Sequence, residues 1–322
     1  MRYKKFGNTD MNVSVITVGT WAIGGQRWGD VDEANSIAAI RAMLDNGVNF
    51  IDTAPVYGYG YSEEAVGKAI KGRDRSKFYI SNKFGLTWPA GPGTPTIRNA
   101  SYANAMREVD VSLKLLGTDY MDLYIVHWPD VREMDTKAPA SETMRALEDL
   151  KKAGKIRYIG VSNYSQAQIE EISQYGVVDA MQPPYSMVNR SAEDLMKWAH
   201  NRGMANMTYG SLGAGILTGT IRTIPDWPEN DIRLTFYDFY KEPKFSKVME
   251  LLKTLDSIAQ AHNRPVSQVS LNWSTQTPFV DTALVGVRNA AEANENCAAF
   301  DWELSAEEYA RITKAIDDTV GK

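Results

Sequence analysis

Side chains capable of acid–base chemistry follow short apolar segments in the first half of the chain: Asp52, Tyr57, Lys83 and His127. A phenol has a reference pKa of about 10, so it is a poor proton donor at neutral pH unless its phenolate is stabilised. A lysine ammonium beside it is expected to lower that pKa, and a carboxylate keeps the ammonium charged and in place. A histidine can then orient a carbonyl oxygen. Such a group suits hydride transfer to a carbonyl, with Tyr57 protonating the oxygen.

Each of these side chains, taken alone, also has a purely structural explanation. An Asp before Thr-Ala-Pro is often a turn former, and a Tyr in a glycine-rich loop often packs on the surface. A Lys after a strand usually extends to water, and a lone His is more often structural than catalytic. The acid–base hypothesis therefore requires that consecutive strands bring the four side chains to one place.

Short β-branched or apolar segments alternate with longer amphipathic segments along the chain, which predicts strands alternating with helices. The predicted strands are 15–18, 49–52, 78–82, 121–126, 156–161, 180–182, 205–209 and 282–285. The predicted helices are 31–46, 62–71, 100–116, 141–153, 166–175, 191–202, 244–262, 266–276, 290–299 and 305–317. Eight strands, each followed by a helix, predict an α/β protein with a (β/α)8 TIM barrel formed by a single domain over residues 1–322. Polar residues at the strand ends would then meet at one mouth.

Local signals define the boundaries of these elements. Ser62 and Ser305 are predicted helix N-caps, and 45–47 and 153–154 are predicted helix C-caps. Two short segments flanking Gly7-Asn8-Thr9-Asp10 predict an N-terminal β-hairpin that closes the barrel bottom. The competing open, doubly wound sheet would need a Gly-x-Gly-x-x-Gly turn after the first strand, which 18–25 do not supply. Mouth loops are long, and 221–241 is long enough to suggest a functional loop.

Composition and charge exclude several classes of function. The net charge of -5, with basic residues dispersed, argues against nucleic-acid binding. No segment approaches the ~20 apolar residues of a membrane helix, so no membrane partner is expected. The single cysteine, Cys297, and the absence of a secretory signal favour a cytoplasmic location. The three histidines have no acid or cysteine at ligand spacing, so no metal is expected. The oligomeric state stays open.

Four motifs together resemble the aldo-keto reductase superfamily, and the resemblance covers essentially the whole chain. The motifs are Asp52-Thr53-Ala54-x-x-Tyr57-Gly58 within 49–63, Lys83 after the third strand, 118–129 with His127-Trp128-Pro129, and 154–164. The resemblance implies that Asp52, Tyr57, Lys83 and His127 form a catalytic tetrad, with Tyr57 as general acid. The chain is most similar to the bacterial branch that acts on sugars, polyols and small aldehydes, which implies reduction of an aldehyde or ketone to an alcohol.

The same resemblance implies a nicotinamide dinucleotide lying across the barrel mouth. Ser162, Asn163 and Gln182 would hold its carboxamide, and Tyr209 would stack on the nicotinamide ring. The remaining positions assigned to the cofactor are Gly19, Thr20, Trp21, Gly210, Ser211, Leu212, Gly213, Gly215, Gly286, Arg288, Glu292, Glu295 and Asn296. Because Arg288 can pair with a 2′-phosphate while Glu292 opposes it, we expect NADP(H) to be preferred modestly and NAD(H) to be accepted.

Aromatic residues are expected to line the mouth and to receive the substrate. The positions predicted to contact it are Trp21, Tyr57, Trp88, His127 and Trp128. Flat aromatic walls suit a sugar-like carbonyl or a small apolar one. Two alternatives stay open: a sugar or polyol dehydrogenase that runs in the oxidative direction, and a slow-turnover, cofactor-binding regulatory subunit like those that some relatives form with potassium channels.

Overall fold

The computed structural model describes residues 1–25, 28, 31–130, 137–229 and 231–321. Its strands are β1 (Tyr3–Lys5), β2 (Asn12–Ser14), β3 (Ile16–Gly19), β4 (Phe50–Asp52), β5 (Tyr79–Phe84), β6 (Leu86–Thr87), β7 (Ile97–Arg98), β8 (Met121–Val126), β9 (Ile156–Ser162), β10 (Ala180–Gln182), β11 (Ala205–Thr208) and β12 (Thr282–Gly286). Its α-helices are α1 (Glu33–Asp45), α2 (Tyr61–Ile70), α3 (Tyr102–Leu116), α4 (Ala140–Lys152), α5 (Gln166–Ile172), α6 (Glu193–His200), α7 (Arg233–Phe236), α8 (Lys244–His262), α9 (Val266–Gln276), α10 (Ala290–Cys297) and α11 (Ala306–Thr319). Among the described residues, no helix is long and apolar enough to cross a membrane.

Eight parallel strands close into a barrel in the order β10-β11-β12-β3-β4-β5-β8-β9, with helices packed around it. The predicted (β/α)8 fold is therefore confirmed, and each predicted strand overlaps one of these eight. Every residue of β8 is buried, as is nearly every residue of β5. Strands covered on both faces select apolar residues on both faces, which explains why these segments lack a clear alternation.

The predicted N-terminal hairpin is also confirmed and forms a plug at one end of the barrel. β1 and β2 pair antiparallel, and the turn between them packs onto the strand starts. Phe6 contacts Phe50 edge to face, with ring centroids 5.5 Å apart. The buried residues of this inner cluster are Phe6, Met11, Val13, Phe50, Leu123, Ile125, Ala180, Ala205 and Met207. Because this end is closed by apolar packing, the opposite end is left for polar chemistry.

One predicted helix start is wrong. α2 begins at Tyr61, after Gly60, whose φ of +99° favours glycine, so Ser62 is inside the helix instead of capping it. The buried Ser62 hydroxyl lies 2.6 Å from the Thr20 hydroxyl and 2.9 Å from the Thr53 hydroxyl. It therefore ties α2 to the ends of β3 and β4. The predicted caps at Ser305, 45–47 and 153–154 are confirmed.

The long segment 221–241 is more ordered than the sequence suggests. It contains α7 and a 3₁₀ turn, Asp238–Tyr240; residue 230 lies outside the described residues. The Phe236 ring packs edge-on against Trp21, with centroids 5.9 Å apart. The Arg233 guanidinium lies over the Trp227 ring at 4.1 Å. The segment therefore reaches across the barrel mouth to the loop after β3.

Candidate active site

The strand register places the four predicted catalytic side chains side by side. Asp52 ends β4, Lys83 lies near the end of β5, and His127 follows β8; Tyr57 lies in the loop after β4. β4, β5 and β8 are consecutive in the barrel, so these ends are neighbours. Asp52 and Lys83 are fully buried, while Tyr57 is 8% and His127 9% exposed. The structure thus brings all four together at the C-terminal end of the barrel, in the position that enzymes with this fold use.

Lys83 connects Asp52 with Tyr57. Its ammonium donates to Asp52 Oδ2 at 2.6 Å, to the Thr53 carbonyl at 3.1 Å and to the Tyr57 hydroxyl oxygen at 3.1 Å. An ammonium has three N–H donors, so all of them are used. The Tyr57 oxygen accepts from Lys83, and in the described part of the chain no acceptor is recorded for its own hydrogen. The phenol is therefore arranged to donate to a bound molecule.

Burial controls the protonation of Tyr57. It raises the pKa of the Tyr57 phenol well above its ordinary value, and the Asp52 charge raises it further. The expected lowering by Lys83 is therefore wrong as a net effect, because removal from water outweighs the single cation. Burial also lowers the Lys83 pKa, against the opposing effect of Asp52. At neutral pH the phenol keeps its proton, and Lys83 stabilises the phenolate only when the proton is transferred.

His127 supplies a neutral ring beside the phenol. Burial holds the His127 pKa well below its ordinary value, and the Lys83 charge lowers it further. The His127 ring lies edge-on to Tyr57, with centroids 5.9 Å apart. No hydrogen bond to either ring nitrogen is recorded among the described residues. A neutral imidazole carries one N–H donor, so His127 can bind a carbonyl oxygen without adding a buried charge.

Asp52 is held by donors that the sequence analysis did not assign to it. Its Oδ1 accepts from the Ser81 hydroxyl at 2.5 Å and from the Gln182 amide at 2.9 Å. Ser81 is two residues before Lys83, so strand alternation could have placed it on the same face. Thr20, predicted near the cofactor, is fully buried and donates to the Asp52 carbonyl at 2.8 Å. These contacts fix the carboxylate that orients Lys83.

The residues predicted to hold the nicotinamide form one connected network. Asn163 has a φ of +60° and donates to the His127 carbonyl at 3.0 Å and to the Ser162 hydroxyl at 3.1 Å. Its Oδ1 accepts from the Tyr209 hydroxyl at 3.0 Å. Ser162 donates in turn to the Gln182 carbonyl at 2.8 Å. The structure therefore brings these four predicted residues together, directly beside His127.

The turn after β11 has the features of an anion site. Gly210, Gly213 and Gly215 have φ values of +74°, +55° and +103°, which side chains rarely adopt. The Ser211 hydroxyl is buried and has no hydrogen-bond partner among the residues that the structure describes. A buried, unsatisfied hydroxyl costs free energy unless a ligand or water completes it. The unpaired Ser211 hydroxyl, in a glycine-rich turn beside the barrel mouth, fits a phosphate group of a dinucleotide. Leu212 is partly buried and packs against the core.

The residues predicted near the adenosine end separate into two groups. The Arg288 guanidinium donates to Glu292 Oε1 at 3.1 Å, and its backbone N–H donates to Oε2 at 3.0 Å. Glu295 faces away, since its carboxylate accepts from the Ser267 hydroxyl at 2.9 Å. Asn296 is only 6% exposed. Of these residues, Arg288 and Glu292 form the ion pair, whereas Glu295 is exposed but bonded to Ser267. The two predicted glycines nearby, Gly19 and Gly286, are register partners in β3 and β12.

Aromatic side chains predicted to contact the substrate lie on three of the loops around the group. The Trp21 ring stacks on Tyr57, with centroids 6.1 Å apart. Trp88, beyond β6, packs edge-on against Tyr59 at 5.0 Å. Trp128 follows His127 directly. Of the three, Trp21 covers Tyr57 directly, and an apolar ring in this position strengthens the electrostatic interactions of the phenol.

Comparison with known proteins identifies the family. The chain matches the Aldo/keto reductase family over residues 15–317. The chain belongs to this family. It is 37% identical to "Aldo-keto reductase YhdN" of Bacillus subtilis (strain 168), over 99% of this chain and 95% of the relative. It is 33% identical to "NADH-specific methylglyoxal reductase" of Escherichia coli (strain K12), over 95% of each.

A solved structure confirms the likeness in three dimensions. The glycerol dehydrogenase AKR11B4 from Gluconobacter oxydans superposes with a TM-score of 0.89 at 31% identity, covering 99% of this chain and 96% of that chain. The present aldo/keto reductase is thus an oxidoreductase of a carbonyl-reducing family whose members use nicotinamide cofactors. The Ser211 hydroxyl, which has no partner in the described ranges, and the glycine-rich turn around it are consistent with such a group at this mouth.

Proposed function

We propose that this protein reduces a small or sugar-like aldehyde or ketone to an alcohol, using NADP(H) preferentially and NAD(H) as well, with residues 1–322 acting as one domain. The observation that carries the proposal is the hydrogen bond that Lys83 donates to the Tyr57 hydroxyl oxygen. This bond leaves the phenol hydrogen available to a bound molecule beside His127. One similar protein is named a methylglyoxal reductase, and one similar solved structure is that of a glycerol dehydrogenase. Both names support a small, oxygen-rich substrate.

The buried side chains divide the reaction between them. The nicotinamide supplies the hydride when it is bound. His127 and Tyr57 donate hydrogen bonds to the carbonyl oxygen and so orient the carbonyl carbon. As negative charge grows on that oxygen, Tyr57 transfers its proton, and Lys83 stabilises the resulting phenolate. Asp52 keeps Lys83 charged in a site from which water is excluded.

The proposed carboxamide site uses groups that remain available in this network. The Gln182 amide nitrogen is engaged with Asp52, so its oxygen is the atom that we assign to the carboxamide N–H. Ser162 and Asn163 would complete the contacts, and the Tyr209 ring would cover one face of the nicotinamide. One covered face leaves hydride to depart from the other.

The proposal is tested by following cofactor oxidation with a panel of aldehydes and keto sugars, and cofactor reduction with polyols. Turnover in the first assay supports a reductase, and faster turnover only in the second supports the dehydrogenase alternative. Cofactor binding without turnover in either direction would contradict the proposal and favour the regulatory-subunit alternative.

Cofactor choice is expected to respond to the Arg288–Glu292 pair. Because Glu292 already forms an ion pair with the Arg288 guanidinium, the wild-type preference for NADP(H) should be small. Glu292→Gln should raise the ratio of kcat/KM for NADPH over NADH by up to about fivefold, the size of a solvent-screened ion pair. Arg288→Ala should lower the same ratio towards NADH.

Added salt provides the control for this prediction, since an exposed charge pair is screened. The wild-type preference should therefore weaken as salt is raised. If the wild type prefers NADH and Glu292→Gln leaves the ratio unchanged, the 2′-phosphate site lies elsewhere.

The segment 221–241 is expected to retain the cofactor. Phe236 packs on Trp21, and the Tyr240 hydroxyl donates to the Ala214 carbonyl in the glycine-rich turn at 3.0 Å, so the segment contacts both sides of the proposed cofactor path. Shortening it should speed cofactor dissociation several-fold in stopped-flow measurements. Phe236→Ala, which removes only the contact with Trp21, should give a smaller change in a folded protein. Equal dissociation rates in all three proteins would show that the segment plays no part in retention.

A further inference from the structure

An arginine lies against Trp128, the residue that follows His127. Arg98 is in β7, which forms a hairpin with β6 immediately after the end of β5. Its guanidinium lies over the Trp128 ring, 4.4 Å from the centroid. Trp128 follows His127, whose backbone N–H donates to the Phe84 carbonyl at 3.0 Å. The hairpin and the His127 segment are therefore held together, with Arg98 between them.

The N–H groups of Arg98 have no partner in the part of the chain that the structure describes. Within the described ranges, no acceptor lies within hydrogen-bonding distance of its guanidinium, and no carboxylate lies within ion-pair distance. Asp130, two residues after Trp128, instead accepts from the Ala100 and Ala138 backbone N–H groups, both at 3.2 Å. Stacking on an indole occupies a face of the guanidinium and leaves the N–H groups at its edge able to donate. Among the described residues, Arg98 thus presents a positively charged guanidinium with two parallel N–H donors and no acceptor for them.

The position of Arg98 separates it from the proposed cofactor phosphates. Those phosphates are assigned to the turn after β11 and to Arg288 after β12. In the barrel order, β5 and β8 lie across from β11 and β12. The charge of Arg98 therefore lies across the barrel from the proposed phosphate sites, against the residue that follows His127.

We propose that Arg98 recognises an anionic group of the substrate, a carboxylate or a phosphate carried a few bonds from the reacting carbonyl carbon. This inference rests on the proposed reductase function and narrows its substrate class. A planar guanidinium donates two parallel N–H···O bonds to either anion, and such charge-assisted pairs are stronger than neutral ones. Trp128 holds the guanidinium plane in advance, so less side-chain freedom is lost on binding.

The test compares matched substrates that differ in charge. One pair is butanal and succinic semialdehyde, which differ by a carboxylate; the other is glyceraldehyde and glyceraldehyde 3-phosphate. The readout is the ratio of kcat/KM for the anionic substrate over its neutral partner. Arg98→Met should lower this ratio by about 10- to 100-fold, mainly through KM, the range for losing a hydrogen-bonded charge. Arg98→Lys keeps the positive charge but loses the planar guanidinium that donates two parallel hydrogen bonds, so it should give an intermediate ratio.

A second arginine provides the matched control. Arg145 lies over the Tyr102 ring at 4.8 Å, but on the outer helices α3 and α4. Arg145→Met should therefore keep the wild-type ratio in both pairs. The wild-type ratio should also fall as salt is raised.

The outcomes separate this inference from the function on which it rests. The pair that responds to Arg98→Met identifies the anion as a carboxylate or a phosphate. If neutral aldehydes are reduced but Arg98→Met leaves the ratio unchanged in both pairs, the inference about Arg98 is overturned and the reductase function stands. If none of the four substrates is reduced with either cofactor, both proposals fail.

Discussion

Tyr57→Phe is expected to lower turnover by roughly 10²–10⁴-fold, the range for loss of a general acid. Only the hydroxyl is removed, so the ring should keep its stacking on Trp21 and its edge contact with His127. Cofactor affinity should therefore stay within a few-fold of wild type. Steady-state kcat and a fluorescence titration of reduced cofactor measure the two quantities separately.

The pH dependence provides a second measurement of the same role. Because burial raises the Tyr57 pKa, the phenol is protonated throughout the neutral range, and reductive turnover should depend little on its ionisation there. Turnover should fall only at alkaline pH, where the proton is lost.

Tyr79→Phe is the matched control for Tyr57→Phe. Tyr79 begins β5 at the opposite end of the barrel, where its hydroxyl accepts from the Asn12 backbone N–H at 3.3 Å. This variant should keep wild-type turnover. Retained turnover in Tyr57→Phe would instead remove Tyr57 as the proton donor.

Lys83→Met is expected to abolish most turnover for a different reason. The variant removes the donor that stabilises the Tyr57 phenolate and leaves Asp52 as a buried charge without its cation. That uncompensated charge should raise the Tyr57 pKa further, so proton transfer becomes harder. Breaking a buried ion pair from one side costs about 3–5 kcal/mol of folding free energy, so Tm should fall as well.

A double variant separates the loss of stability from the loss of chemistry. Asp52→Asn combined with Lys83→Met removes both charges and should recover much of the Tm. Turnover should stay low, because Tyr57 still lacks its donor. The decisive measurement is the pH–rate profile of Lys83→Met: a profile identical to wild type would count against the whole catalytic group.

Much of the architecture was predictable because the signals for it are local. Two C-terminal helices, 244–262 and 266–276, are predicted with the bounds that the structure shows. Hydrophobic patterns and cap residues act within a few positions along the chain, so they can be read without knowing the tertiary contacts. Parallel pairing of consecutive strands then places Asp52, Lys83 and His127 at one mouth, whatever the surrounding packing.

The sequence by itself determined the barrel, the meeting of the four predicted acid–base side chains at one mouth and the glycine-rich turn, since each depends on spacing along strands and loops. Only the tertiary structure decided the direction of the Tyr57 pKa, because burial sums the contributions of every element around the phenol. It also decided that the Gln182 amide faces Asp52 and that Glu292 occupies Arg288. The stacking of Arg98 on Trp128 joins residues thirty positions apart. Side-chain partners of this kind depend on distances in space, and one-dimensional patterns do not contain them.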